Sequence, residues 1–233
     1  MKNPFDYWVI DNFLPIDSAR QLSTEFMDYN YPKWYSYDNP LENKKSCNDW
    51  WEFPPKTYEF FMHLASSDFV NKLKELTGIK NLYPDIGLHG AGWHIHGTGG
   101  KLNVHLDYSL HPKLNLQRKL NLILYLTEDW NPDWGGCLEF WSNNESIKRP
   151  KEKKVVIENV FNRAIVFDTT QNSWHGFPES LTCPDGIYRR SIAFYYLTDP
   201  PDNIEIRKRA LYAPYKGQEN NLEILELIRR RSL

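Results

Sequence analysis

From about Ile79 onward the chain breaks into short runs divided by Gly, Pro, Asn and Asp, and this rhythm constrains the fold more than any other feature. Candidate strands cover residues 87–96, 101–107, 119–126, 137–141, 154–157, 164–167 and 189–197. Many short strands divided by turn residues build a sandwich or jelly roll, with flanking helices over one outer face. The run Lys119-Leu120-Asn121-Leu122-Ile123-Leu124-Tyr125-Leu126 shows why. Its four leucines share one face, suited to burial beneath helices. Asn121, Ile123 and Tyr125 share the other and point inward.

Before Ile79 the pattern is mixed and mainly helical. The spacing predicts a helix from Leu14 to about Tyr29, with Ala19, Leu22 and Phe26 on one face. A second helix is expected over 57–65, and a third from a Ser67-Asp68 cap to Gly78. Residues 31–55, rich in Trp, Tyr, Pro and Asn, show no clear period and read as a long loop. Residues 220–230 are amphipathic, with Leu222, Leu225 and Ile228 along one stripe. The expected organisation is one domain over 1–233, with helical support over 1–78, a mainly β core over 79–200 and a helical extension over 201–233. A chain of 233 residues fits one elaborated barrel.

The net charge of −2 leaves no broad basic surface for nucleic acid. The one dense basic run, Arg229-Arg230-Arg231, reads as a solvated helix end whose cations suit the helix dipole. No apolar run is long enough to span a bilayer, and the opening MKNPFDYWVIDNF lacks the pattern of a secretory signal. The Asn144-Glu145-Ser146 sequon is therefore discounted. Cys47, Cys137 and Cys183 form no CxxC pair, so neither a disulfide framework nor a zinc knuckle is expected, and the cytoplasm is the expected setting. Nine Trp and fourteen Tyr exceed what a minimal core needs. Such rings pack cores or line substrate clefts.

Three segments converge on one chemistry. In His105-Leu106-Asp107, residues two apart on a strand face the same way, so an imidazole and a carboxylate can meet one metal ion. Ser173-Trp174-His175-Gly176 places a second histidine at the start of a loop. Two histidines and one carboxylate on one face of an octahedral ion leave the remaining positions open, as in non-haem iron(II) oxygenases. An HxD pair alone is common. The third segment, residues 188–196, adds weight. On a strand, Arg189, Ser191, Ala193 and Tyr195 share a face with space for a ligand and a fork of donors for a carboxylate. Buried Asn121 and Tyr125 need partners, which a keto acid, a water or a neighbouring loop would provide.

In order, HxD, the strand ending Tyr125-Leu126, Asp129-Trp130, Gly135-Gly136-x-Leu138-Glu139-Phe140, Trp174-His175-Gly176 and Arg189-x-Ser191 resemble the prolyl 4-hydroxylase-like branch of the 2-oxoglutarate/Fe(II)-dependent oxygenases. The opening Val9-Ile10-Asp11-Asn12-Phe13-Leu14-Pro15 is similar to the start of such domains. The resemblance covers about 87–199 and implies a double-stranded β-helix, a cupin-like jelly roll. It further implies Fe(II) on His105, Asp107 and His175, and 2-oxoglutarate with its distal carboxylate on Arg189, helped by Tyr125, Ser191 and Asn121. Ascorbate is an accessory cofactor of the same expectation. O2 and an unidentified substrate complete it, whether a prolyl residue, a small metabolite or a sugar-linked compound. Halogenating relatives lack the carboxylate ligand, so Asp107 implies hydroxylation. Two departures stand out. The segment between His175 and Arg189 is long, which makes Arg190 a fallback for the carboxylate. Trp93-His94-Ile95-His96 occupies a strand where relatives carry a Tyr, and His94 and His96 read as pocket residues. A non-catalytic jelly-roll binding module is the rival reading. His63, His89 and His111 have no motif context and read as structural.

Overall fold

The alternating region folds as antiparallel β-structure in the computed structural model, which describes residues 3–232. The strands are β1 (Tyr7–Ile10), β2 (Tyr35–Asn39), β3 (Glu42–Cys47), β4 (Tyr83–Pro84), β5 (Gly92–His96), β6 (Lys101–Leu106), β7 (Gln117–Tyr125), β8 (Leu138–Asn144), β9 (Arg149–Ile157), β10 (Ala164–Asp168), β11 (Trp174–Phe177), β12 (Arg189–Thr198) and β13 (Leu211–Tyr212). The helices are α1 (Ile16–Thr24), α2 (Pro55–Ala65), α3 (Ser67–Thr77) and α4 (Leu222–Ser232). The strands form one curled sheet in the order β1-β10-β7-β12-β5-β3-β6-β11-β8-β9, with β2 on β3, β4 on β12 and β13 on β6. This is the mainly β jelly roll with flanking helices that the turn rhythm predicts.

Strand β7 divides two cores by its alternation. Leu120, Leu122 and Leu124 are fully buried against Phe61 and Leu64 of α2, Leu73 of α3, and Ile192, Phe194 and Tyr196 of β12. Each such leucine contributes about 2 kcal/mol of burial. On the other face, Tyr125 packs inside the curl with Phe5, Leu138, Phe140, Ile157, Ile165 and Phe167. Inward positions nearer the open end carry Asn121 and Ile123, and there the interior becomes a cavity.

Several local expectations need correction. Helix α1 ends at Thr24, well before Tyr29. Thr24 Oγ1 donates to the Gln21 carbonyl, and the Glu25 carboxylate is used to cap α2, accepting from the N–H groups of Lys56 and Thr57. Helix α2 opens at Pro55, and the side chain capping α3 is Ser66, whose Oγ accepts from the Phe69 N–H. The expected loop over 31–55 is instead the β2–β3 hairpin followed by a 3-10 turn at Trp50–Glu52. Strand β3 pairs with β5 through Lys45↔Ile95 and with β6 through Glu42↔Leu102, so it joins the two halves of the curl. Strand β5 begins only at Gly92, after a turn in which Leu88 and Gly90 take positive φ. His175 lies within strand β11, where a loop was expected. Arg231 is not simply solvated. It forms an ion pair with the buried Glu42, 2.5 Å away.

Candidate active site

Strand register places the first three residues. His105 on β6 and His175 on β11 are direct cross-strand partners, with ring centroids 4.3 Å apart. Asp107 follows β6, with Oδ1 3.6 Å from His105 Nε2 and Oδ2 4.0 Å from His175 Nε2. All three are buried, and their possible ligand atoms lie within 4.8 Å of one another. Each histidine is oriented from behind. His105 Nδ1 lies 2.9 Å from the Asn103 carbonyl, and His175 Nδ1 lies 2.8 Å from the Ser173 carbonyl. A carbonyl can only accept, so each Nδ1 carries the proton and each Nε2 presents a lone pair. The pairing needs Gly176, because a Cβ there would lie 2.7 Å from the Leu102 carbonyl oxygen and 2.8 Å from that of Asn103.

Burial pushes the Asp107 carboxyl upward, but Arg118, His105 and His175 outweigh it and hold the group below the usual carboxylate range. Burial, with His105 beside it, lowers His175 to about 4. His175 is therefore neutral beside an anionic Asp107 carboxylate. Asp107 Oδ2 is buried without a hydrogen-bond partner. This donor set fits an iron(II) ion, which takes nitrogen and carboxylate ligands in this combination.

The cluster opens onto a cavity of about 420 Å³ that also reaches Arg189, Ser191, Asn121 and Tyr195. Arg189 is 3 % exposed; its Nε donates to the Gly136 carbonyl, and its guanidinium lies over the rings of Tyr125 and Phe177. No carboxylate among the described residues forms an ion pair with it. Burial lowers its affinity for the proton, and the partial charge of Tyr125 works against that. A buried guanidinium without a counter-anion fits a ligand carboxylate. Asn121 Oδ1 is buried without a hydrogen-bond partner among the described residues, and the buried Tyr125 hydroxyl faces Arg189, so both fit the same ligand. Gly136, at φ 79°, lets Arg189 pass, since a Cβ would lie 2.9 Å from Arg189 Cδ. Ser191 is the direct partner of Tyr125 across β12 and β7. Arg190, on the opposite face of β12, does not line the cavity.

His94 and His96 do line it, and neither ring nitrogen of His96 has a hydrogen-bond partner among the described residues. They are pocket residues, and the group that could hold a metal ion is His105, Asp107 and His175. His89, read as structural, also lines the cavity, whereas His111 sits behind it, 3.7 Å from Asp85. Lining residues that the sequence reading missed include Glu42, Lys44, Arg118, Tyr212 and Arg231. Arg118 left little signal, since it stands between Gln117 and Lys119 at the polar start of β7, and only its burial marks it.

The model of the 2OG-Fe(II) oxygenase superfamily matches residues 91–197, which contain the three clustered residues and Arg189. Prolyl 3-hydroxylase OGFOD1 of Mus musculus is 26 % identical over 209 residues, covering 87 % of this chain and 35 % of that protein. The chain thus spans about a third of that relative's length. A prolyl hydroxylase of Trichoplax adhaerens, solved with a hypoxia inducible factor peptide fragment, matches with a TM-score of 0.58 at 17 % identity, over 84 % of this chain and 85 % of that one. HygX of Streptomyces hygroscopicus, solved with nickel, 2-oxoglutarate and hygromycin B, matches with a TM-score of 0.54 at 11 % identity, over 83 % of each chain. At such identities these structures speak for the fold, and the family match speaks for the site segment. By that match, residues 91–197 of this chain are similar to the 2OG-Fe(II) oxygenase superfamily.

Proposed function

We propose that this chain is an Fe(II)- and 2-oxoglutarate-dependent dioxygenase that hydroxylates an unactivated carbon, with a prolyl residue as the first substrate to test. One observation carries the reading. A single cavity joins the cluster of His105, Asp107 and His175 to a buried Arg189 that has no acidic partner among the described residues. The prolyl assignment is supported by the name of the mouse relative, and the retained carboxylate of Asp107 favours hydroxylation over halogenation.

When bound, iron(II) with 2-oxoglutarate and O2 supplies the oxidising power that inserts oxygen into a C–H bond, leaving succinate and CO2. The chain's own residues do the rest. His105, Asp107 and His175 hold the metal. Arg189, with Tyr125, Ser191 and Asn121 beside it, receives the distal carboxylate of the oxoacid. The apolar walls of Leu138, Phe177 and Ile123 keep water from that end. The β2–β3 hairpin and the residues after Asp107 contribute Tyr35, Tyr37 and Tyr108 to the cavity and are where specificity is expected.

The test is succinate formation from 2-oxoglutarate in air, with Fe(II) and ascorbate, in the presence of prolyl peptides or of small cyclic metabolites. Prolyl peptides should raise succinate yield and gain one oxygen atom. Stimulation by the metabolites alone would keep the chemistry and replace the substrate. No Fe(II)-dependent succinate under any condition would leave a binding module.

A further inference from the structure

Besides the two histidines, Asp107 has one buried charged neighbour at its carboxylate among the described residues. Arg118, on β7 and 2 % exposed, places Nη1 3.4 Å from Asp107 Oδ1. Its guanidinium is fixed on both faces, 3.5 Å from the centroid of the Tyr108 ring and 3.4 Å from that of Tyr195. Its Nη2 donates to the His89 carbonyl at 2.7 Å. Asp107 is the one carboxylate that forms an ion pair with it among the described residues. The two oxygens of Asp107 therefore differ. Oδ1 faces a fixed cation, while Oδ2 is buried with no hydrogen-bond partner and lies on the His175 side.

We propose that Arg118 is a positioning residue for Asp107, engaging Oδ1 so that Oδ2 alone is left to ligate the metal. This rests on the dioxygenase reading above, and its consequence is one of counting. On an octahedral ion, two imidazoles, one carboxylate oxygen and a bidentate oxoacid would fill five positions and leave one for O2. A carboxylate free to turn and bind through both oxygens would fill the sixth. The ring sandwich explains why the cation is an arginine. A planar guanidinium stacks on two aromatic faces and still presents N–H groups at its edge, which an ammonium cannot do.

Titration of the full chain with Co(II) alone tests this, comparing wild type with Arg118→Gln and Arg118→Lys. The Gln variant should bind Co(II) about 10- to 100-fold more weakly, the usual effect of losing a partner behind a metal ligand. With 2-oxoglutarate added to the Co(II)-loaded protein, its absorption should weaken in the visible, as expected when the position left open in the wild type fills. The Lys variant should recover part of the affinity but not the spectrum. In turnover, kcat should fall while KM for 2-oxoglutarate stays unchanged. A purely structural role would lower the melting temperature of the variants without altering the Co(II) spectrum. If the Gln variant does not fold, the Lys variant carries the same spectral test. Wild-type Co(II) affinity and spectrum in the folded variants would overturn the proposal and leave the dioxygenase reading intact. A wild-type chain that binds no Co(II) would overturn both.

Discussion

His105 and His175 stand directly opposite each other on β6 and β11, ring centroids 4.3 Å apart. Two candidate metal ligands far apart in the sequence are thus set by backbone pairing between strands, so their geometry is as rigid as the sheet. Each ring is locked further by a carbonyl behind it, those of Asn103 and Ser173.

That dependence on pairing gives a first prediction. Gly176→Ala would drive a Cβ to within 2.8 Å of two carbonyl oxygens of β6. The strands must separate, at a cost of about 1–3 kcal/mol by analogy with overpacked cores. Urea unfolding should show that loss, and Co(II) titration should show weakened metal binding. Wild-type stability together with wild-type metal affinity would contradict the claim that strand pairing sets the cluster.

Arg189 gives a second. A charge-assisted bond to a carboxylate contributes roughly 1.5–3 kcal/mol, so Arg189→Gln should raise the KM for 2-oxoglutarate by about one to two powers of ten. Arg189→Lys should recover only part of it. Arg190→Ala should leave the KM close to wild type, because Arg190 lies off the cavity. A larger effect from Arg190 than from Arg189 would mean that β12 presents its other face.

The pocket histidines set a pH dependence. Burial holds His96 well below the ordinary imidazole range, with Arg189 and Lys44 adding to it. Burial, then Lys44 and Arg189, lowers His94 to about 3. Unfolded, both titrate near about 6.5. As pH falls below that value the unfolded chain takes up more protons than the folded one. The stability these groups contribute is therefore fully present above about pH 6.5 and drains away towards pH 3. Each adds a slope of up to about 1.4 kcal/mol per pH unit. Urea midpoints of the metal-free chain between neutral and weakly acidic pH should fall accordingly, and His96→Gln should flatten the fall. Identical slopes in the two proteins would count against the assignment.

What the sequence disclosed follows from where each signal comes from. Strand β7 was legible because its even positions meet helices and its odd positions meet the interior, so period two was written in leucines. His105 and Asp107 were legible because two-residue spacing on a strand is a geometric statement. Strand β3, Glu-Asn-Lys-Lys-Ser-Cys, was not. Its inward side chains, Glu42, Lys44 and Ser46, meet a polar cavity instead of a core, so alternation carries no hydrophobic trace. Strand β11 has only four residues, too few for a period to register. Arg231 was misread because its partner Glu42 lies at the other end of the chain, and no local pattern reports such a pair.

The central claim is that one cavity holds a metal on His105, Asp107 and His175 and an oxoacid between that metal and Arg189. Calorimetric titration of 2-oxoglutarate into the Mn(II)-loaded chain in the absence of turnover tests it most directly. The wild type should take up one equivalent, metal-free protein should bind far more weakly, His175→Ala should behave like the metal-free form, and Arg189→Gln should bind about 10- to 100-fold more weakly than wild type. Equal uptake of 2-oxoglutarate with and without metal, or in His175→Ala, would contradict the account.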